Sequence, residues 1–240
     1  TSVDNVNGEN IGVLQIINRK DDKQETIPFD EDDELLLSSF ADLAAVHIER
    51  ARITKEMILR MIKMAELRDP KETGAHVNRV GAYSAELYEH WAMKNDVPKN
   101  EIKQMKGNYR LASMLHDVGK VGISDIILKK PGPFTDEERK LMQQHTVFGT
   151  ELFKYSASEM DRLATTISLS HHENWDGTGY PYGSGNNADH DMVGENIPLS
   201  GRIVKITDVY DALMSIRCYK KAWDEQKVLD EIEENTAAEF

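Results

Sequence analysis

The chain has 240 residues, 40% of them hydrophobic and 30% charged, with a formal net charge of −13 and one cysteine. That length supports one large domain or two modest ones, and no apolar run approaches the ~18 residues that a membrane-spanning helix needs. The acidic balance argues against a broad nucleic-acid or anionic-membrane footprint, so an anionic substrate has to find positive charge in metals or a few placed cations; the lone Cys218 excludes an internal disulfide and fits a reducing cytoplasm.

Beginning at Thr1 with no Met and no signal-like region, the sequence reads as part of a longer chain. Ile11 to Asn18 is a strand candidate, preceded by the turn-prone Asn7-Gly8. After a charged loop and the Pro28-Phe29-Asp30 turn, a helix is predicted from about Asp32 to Leu67. Its first turn is acidic, and apolar residues recur at Leu36, Phe40, Leu43, Val46, Ile53, Met57, Met61 and Met64. A helix of about 36 residues is long for a globular domain, so it is read as a linking element whose apolar stripe pairs with a second copy, which predicts a homodimer. From Asp69 onward the pattern is helical with short breaks. Helices are expected near 75–95, 99–116, 135–154, 157–172, 198–216 and 224–236, with Thr135-Asp-Glu-Glu as an N-terminal capping signal. The glycine- and proline-bearing stretch 173–197 is long enough to expect a function of it.

Leu111 to Gly122 organises the rest. An apolar helical run ends in adjacent His116 and Asp117, and Gly119 and Gly122 bracket Lys120. Imidazole beside carboxylate suits a divalent cation of intermediate hardness, and the glycines let the backbone turn so that Lys120 points back at whatever that cation holds. Alone, such a dipeptide is an ordinary polar helix end. The company it keeps decides. Glu72 and His76 stand four apart on one helical face, His145 follows, then adjacent His171 and His172, then Asp208 and Asp211 three apart among apolar neighbours. Burying that many ionisable groups in one helical bundle costs several kcal/mol per unpaired charge, and a polynuclear metal site satisfies them together. His171 and His172 are about 100° apart on a helix, so both can be ligands only at a helix end or a local unwinding. His47, His90 and His190 read as structural or surface residues, and Trp91, Trp175 and Trp223 as packing, with Trp175 beside the site.

Two stretches resemble known families. Gly12-Val-Leu-Gln-Ile-Ile-Asn18, Pro28-Phe-Asp-Glu-Asp-Asp33 and the Ala41 to Ala51 segment resemble the last strand and closing helix of a GAF sensory domain, over about residues 8–52. His116-Asp117 with Gly119-Lys120, His145, His171-His172-Glu173, Asp176-Gly-Thr-Gly-Tyr180-Pro181, Ile197-Pro198-Leu199 and Asp208-Val-Tyr-Asp211-Ala-Leu resemble the HD-GYP branch of the HD metal-dependent phosphohydrolases, from about Arg68 to Trp223. The fold expected is mainly α: a helical HD-type bundle with a metal site (69–240), preceded by a remnant of an α/β GAF-like domain (1–52) and a linking helix (53–68).

The resemblance implies a cytoplasmic enzyme that binds two or three divalent ions, iron first and manganese next, and hydrolyses cyclic di-GMP to linear pGpG and, in many members, to GMP. It makes His116, Asp117, His145, His171, His172 and Asp208 metal ligands, with Asp117 bridging, and puts Glu72 and His76 where trinuclear members carry extra ligands. Lys120 would contact the scissile phosphate, Arg217 and Lys220 would hold phosphate oxygens near Asp211, and Tyr180 and Pro181 would contact substrate or a signalling partner. Ile216 and Cys218 depart from the family pattern around Arg217, and the loop between Pro181 and Ile197 is longer than usual. The nucleophile expected is a hydroxide held between two ions, attacking phosphorus in line. The competing readings are a cyclic di-GMP-binding module with little turnover and an HD phosphohydrolase of another nucleotide.

Overall fold

The computed structural model describes residues 1–69, 74–155, 158–183, 191–215 and 222–240. The chain divides into two compact units, Thr1–Leu59 and Arg60–Phe240.

In the first unit, strands β1 (Ser2–Asp4) and β2 (Asn10–Val13) form an antiparallel pair, Val3 opposite Gly12. Val3 inserts between Ala41 and Ala45 of the helix α1 (Glu31–Arg68), with Ile11, Leu14 and Ala44 packed around them. The strand expected over Ile11–Asn18 stops at Val13, and Ile17 is exposed. A strand needs a neighbour for its backbone donors and acceptors, and a lone hairpin supplies only one. The long helix forms as the periodicity predicts, opening on Glu31, Asp32, Asp33 and Glu34, whose charge complements the helix N-terminus.

The second unit is a helical bundle: α2 (Gly74–Lys94), α3 (Lys99–Ser113), the single turn α4 (Asp125–Leu128), α5 (Asp136–Gln143), α6 (His145–Phe153), α7 (Glu159–Ser170), α8 (Leu199–Met214) and α9 (Glu225–Glu234). Helix α2 packs on α3 and α8, and α7 on α3, α6 and α8. Tyr88 and Tyr109 stack at 4.2 Å between α2 and α3, beside Ala92, Ile102 and Ile203. Gly201 lets α8 lie against α7, because a Cβ there would meet Ser170 Oγ at 2.2 Å.

Two helices differ from the sequence reading, and both differences serve the site. The helix expected over 99–116 ends at Ser113, and the chain tightens through Met114 into a 3-10 turn, Val118–Gly122, with Asp117 at its N-cap. The helix expected over 135–154 is two, broken at Gln144 so that His145 opens α6. Thr135 caps α5 as predicted, its hydroxyl accepting from Glu138 N while the Glu138 carboxylate accepts from Thr135 N.

Candidate metal centre

His116 and Asp117 sit in the turn after α3, His145 on the first turn of α6, and His171 at the C-cap of α7 with His172 next to it. The last pair resolves the 100° problem: the helix ends at Ser170, and the two rings stand 4.0 Å apart at 43°. Asp208 comes from α8 and His76 from α2.

These side chains converge. Ligand atoms of Asp117, His145, His171 and His172 lie within 4.8 Å of one another, and so do those of His76, His116 and Asp208. Asp117 joins the two groups, with its Oδ1 3.0 Å from His145 Nε2 and 3.7 Å from His171 Nε2, and its Oδ2 3.4 Å from His116 Nε2. Across the second group, His76 Nε2 is 3.4 Å from Asp208 Oδ1.

The tautomers are fixed from behind. His116 Nδ1 lies 2.8 Å from Ser113 O, His145 Nδ1 2.8 Å from Met142 O, and His171 Nδ1 2.9 Å from Ile167 O. A carbonyl only accepts, so each Nδ1 carries the proton and each Nε2 turns a lone pair toward the Asp117 carboxylate. Lone pair against anion is repulsive, and His145 Nε2, His171 Nε2 and Asp117 Oδ1 have no hydrogen-bond partner among the described residues. A cation is what this donor set accommodates, and neutral imidazole with carboxylate fits a divalent ion of borderline softness.

Electrostatics agrees. Burial raises the Asp117 pKa, while the neighbouring Lys120 ammonium lowers it, and the carboxyl is held well below the usual range. Burial lowers His171, and lowers His172 further with His171 and His145 beside it, which favours the neutral form that a metal ligand needs. Lys120 Nζ donates to Asp117 Oδ2 at 2.5 Å and is partly exposed at the edge of the cluster. Gly119 explains why that turn can sit so close: a Cβ there would stand 1.9 Å from His145 O and 2.4 Å from Gly149 N.

Other expected site residues take different places. Asp211, expected near substrate, is buried, with Oδ2 2.8 Å from His76 Nδ1 and both oxygens held by Arg79 at 2.5 and 2.9 Å. Burial pushes its pKa up, yet His76 and Arg79 prevail and hold it at about 2. It orients His76 in the way a carboxylate behind a histidine orients a metal ligand. The Tyr180 ring stacks on His172 at 4.5 Å and 25°, and burial raises its hydroxyl pKa. Glu72, Arg217 and Lys220 lie outside the described residues, as do Ile216, Cys218, His190 and 184–190 of the loop.

Three supporting residues escaped the sequence reading. Arg79 stands three after His76 on the same helical face, a spacing that was available. Lys205 is buried on α8, donates to Asn174 Oδ1 at 2.7 Å just beyond His172, and is pushed down in pKa by burial. A lysine inside Arg-Ile-Val-Lys-Ile was its only signal. Glu173, read only as part of a motif, is buried and accepts from Tyr182 N at 2.9 Å, pinning the loop over the histidines. Trp175 packs beneath the Arg202 guanidinium at 5.5 Å.

The sequence profile of the HD domain matches residues 60–240. This chain belongs to the HD-domain family. The ordered histidine, aspartate and Gly179-Tyr180-Pro181 motifs make it an HD-GYP member. A 3'3'-cGAMP-specific phosphodiesterase 2 of Vibrio cholerae is 37% identical over 185 residues, covering 77% of this chain and 32% of the relative. A cyclic di-GMP phosphodiesterase of the same organism is 36% identical over 231 residues, 90% of this chain and 44% of the relative. One of Thermotoga maritima is 40% identical over 177 residues, 73% and 44% respectively. The HD-GYP chain thus spans less than half the length of these relatives. Among the described residues no helix is long and apolar enough to cross a membrane.

Proposed function

We propose that this chain is the catalytic part of a metal-dependent phosphodiesterase that hydrolyses cyclic di-GMP to linear pGpG and onward to GMP in the cytoplasm. One observation carries the reading: three Nδ1-protonated histidines aim Nε2 lone pairs at a single buried aspartate. The names of the relatives above support the substrate.

His116, Asp117, His145, His171, His172, Asp208 and His76 would hold two ions, with Asp117 reaching both groups, and Glu72 would complete a third site. Divalent cations there, iron first and manganese next on nitrogen and oxygen donors, supply Lewis acidity and make water acidic enough to act near neutral pH. The protein's own part follows from placement. Lys120 Nζ, now on Asp117 Oδ2, is positioned to donate to a phosphoryl oxygen as charge develops there, and then to protonate the leaving 3' oxygen. Tyr180 stacks on His172 and, with Pro181, walls the site. Arg217 and Lys220 are assigned to the phosphate oxygens.

Protein stripped of metal, and Asp117→Ala, are each expected to leave cyclic di-GMP intact in a chromatographic assay that resolves substrate, pGpG and GMP. Turnover by either would refute the reading. A second reading has an observation behind it, since the 37%-identical relative is named for 3'3'-cGAMP. Competition between the two cyclic dinucleotides in one reaction decides between them, and binding of either without turnover at added iron under reducing conditions would favour a signalling module instead.

We assign residues 1–52 to the end of a GAF-like sensory domain and 53–68 to the link. Leu36, Leu43, Val46, Ile53, Met57, Met64 and Leu67 fall on two positions of a seven-residue repeat along α1, at spacings of three, four or seven, and all are exposed. Such a stripe supports pairing of α1 with a second copy of itself, so a homodimer is expected. A monomeric mass by analytical ultracentrifugation would remove it. The Gly179 to Pro181 loop is the surface offered to other signalling proteins.

A further inference from the structure

Helix α1 ends on Arg68, and the Arg68 guanidinium does not stay on its own helix. Its Nε donates to Asp125 Oδ1 at 3.1 Å, its Nη2 to Ile123 O at 2.6 Å, and its Nη1 to Val121 O. These acceptors close the 3-10 turn Val118–Gly122 that begins at Asp117 and carries Lys120. At its ends the turn is closed by its own backbone, with Lys120 N donating to Asp117 O at 3.0 Å and Ile123 N to Lys120 O at 3.1 Å.

The turn is gripped from two sides. On one, Gly119 lies against the α6 backbone at His145 and Gly149, and Gly122 lies against Phe148, so it has no room to move that way. On the other, the Arg68 fork takes two carbonyls and a carboxylate at once, a planar multi-donor geometry that lysine cannot reproduce.

We propose that Arg68 is a positioning residue through which α1 holds the Asp117–Lys120 turn in register, so that a change at the end of α1 alters the alignment of the site. One residue of helical slip rotates the last side chain by about 100° and moves it by about 1.5 Å, enough to take the guanidinium off all three acceptors. The catalytic consequence rests on the phosphodiesterase reading, whereas the mechanical link stands apart from it.

The test measures both. In Arg68→Met, hydrogen exchange over residues 117–124 is expected to accelerate at least ~10-fold, while α7 exchanges as in the parent protein. With cyclic di-GMP, kcat is expected to fall about 10- to 100-fold with KM within about threefold, because misplacing a reacting group by about 1 Å costs rate more than binding. Arg68→Lys should recover part of both. An alanine inserted between Lys63 and Met64 should reproduce the exchange change without touching Arg68. If Arg68→Met fails to fold by circular dichroism, Asp125→Asn, which weakens one of the three contacts, is expected to speed the same exchange by a smaller factor. Exchange over 117–124 within about twofold of the parent in the folded variants overturns the proposal, whatever happens to kcat. If the parent hydrolyses no cyclic dinucleotide, the phosphodiesterase reading falls and the exchange result still decides the link.

Discussion

Gly119→Ala tests the site's architecture with a single methyl group. The glycine's φ is not positive, so any cost comes from space alone. A Cβ would stand 1.9 Å from His145 O, 2.4 Å from Gly149 N and 2.9 Å from Gly149 Cα, all backbone atoms of α6. An ordinary carbon–oxygen contact is about 3.3 Å, so the first turn of α6 would have to retreat by roughly 1.4 Å and carry His145 with it. Over-packing of this kind costs about 1–3 kcal/mol, and shifting backbone with no flexible side chain to yield puts the expected loss at the top of that range. Moving His145 away from Asp117 Oδ1, now 3.0 Å from its Nε2, should also cut metal uptake. The assays are urea denaturation of metal-free protein and metal content after dialysis against a fixed free-metal concentration. Gly107→Ala is the control: no atom lies within 4 Å of its added Cβ, it sits inside α3, and it should stabilise by about 0.5–1 kcal/mol. Equal stability and equal metal content for Gly119→Ala and the parent would mean that this turn does not lie against α6, and the proposed site would lose its frame.

Three further outcomes follow from the same geometry. Arg79→Met removes both guanidinium donors from Asp211 and so loosens His76; metal titration should show one class of site weakened about 10- to 100-fold while the Asp117, His145, His171 and His172 group holds its affinity. Thr135→Ala breaks the capping box on α5 and should cost about 1 kcal/mol of stability in urea denaturation with kcat unchanged, since the cap touches no site residue. Acidification should destabilise the metal-free protein: His171 and His172 have folded pKa values below the unfolded value near 6.5, so the unfolded chain binds their protons first. Their contribution is full above about pH 6.5 and is lost as pH falls toward the folded values, by up to about 1.4 kcal/mol per pH unit for each neutral histidine. A flat stability profile between pH 7 and 5.5 would contradict it.

The sequence by itself determined the parts that depend on local pattern. The 3.6-residue periodicity of α1 and the acidic first turn located it, and Thr135 with Glu138 marked the start of α5 through two backbone donors that only a cap satisfies. The residue types of the candidate cluster were legible too, since histidines and aspartates set in apolar helical stretches are costly to bury unless something pairs with them. What only the tertiary structure decided was direction and partnership. Ile11–Asn18 has the composition of a strand, but strand length is set by a neighbour that local sequence does not contain. The break at Gln144 is invisible to propensity because it exists to let the start of α6 meet Gly119, a contact between residues far apart in the chain. Asp211 and Asp208 look equivalent in sequence, three apart on one helix. Arg79 on another helix holds the first behind His76 and leaves the second facing the cluster, so assembly of the bundle gave two like carboxylates different work.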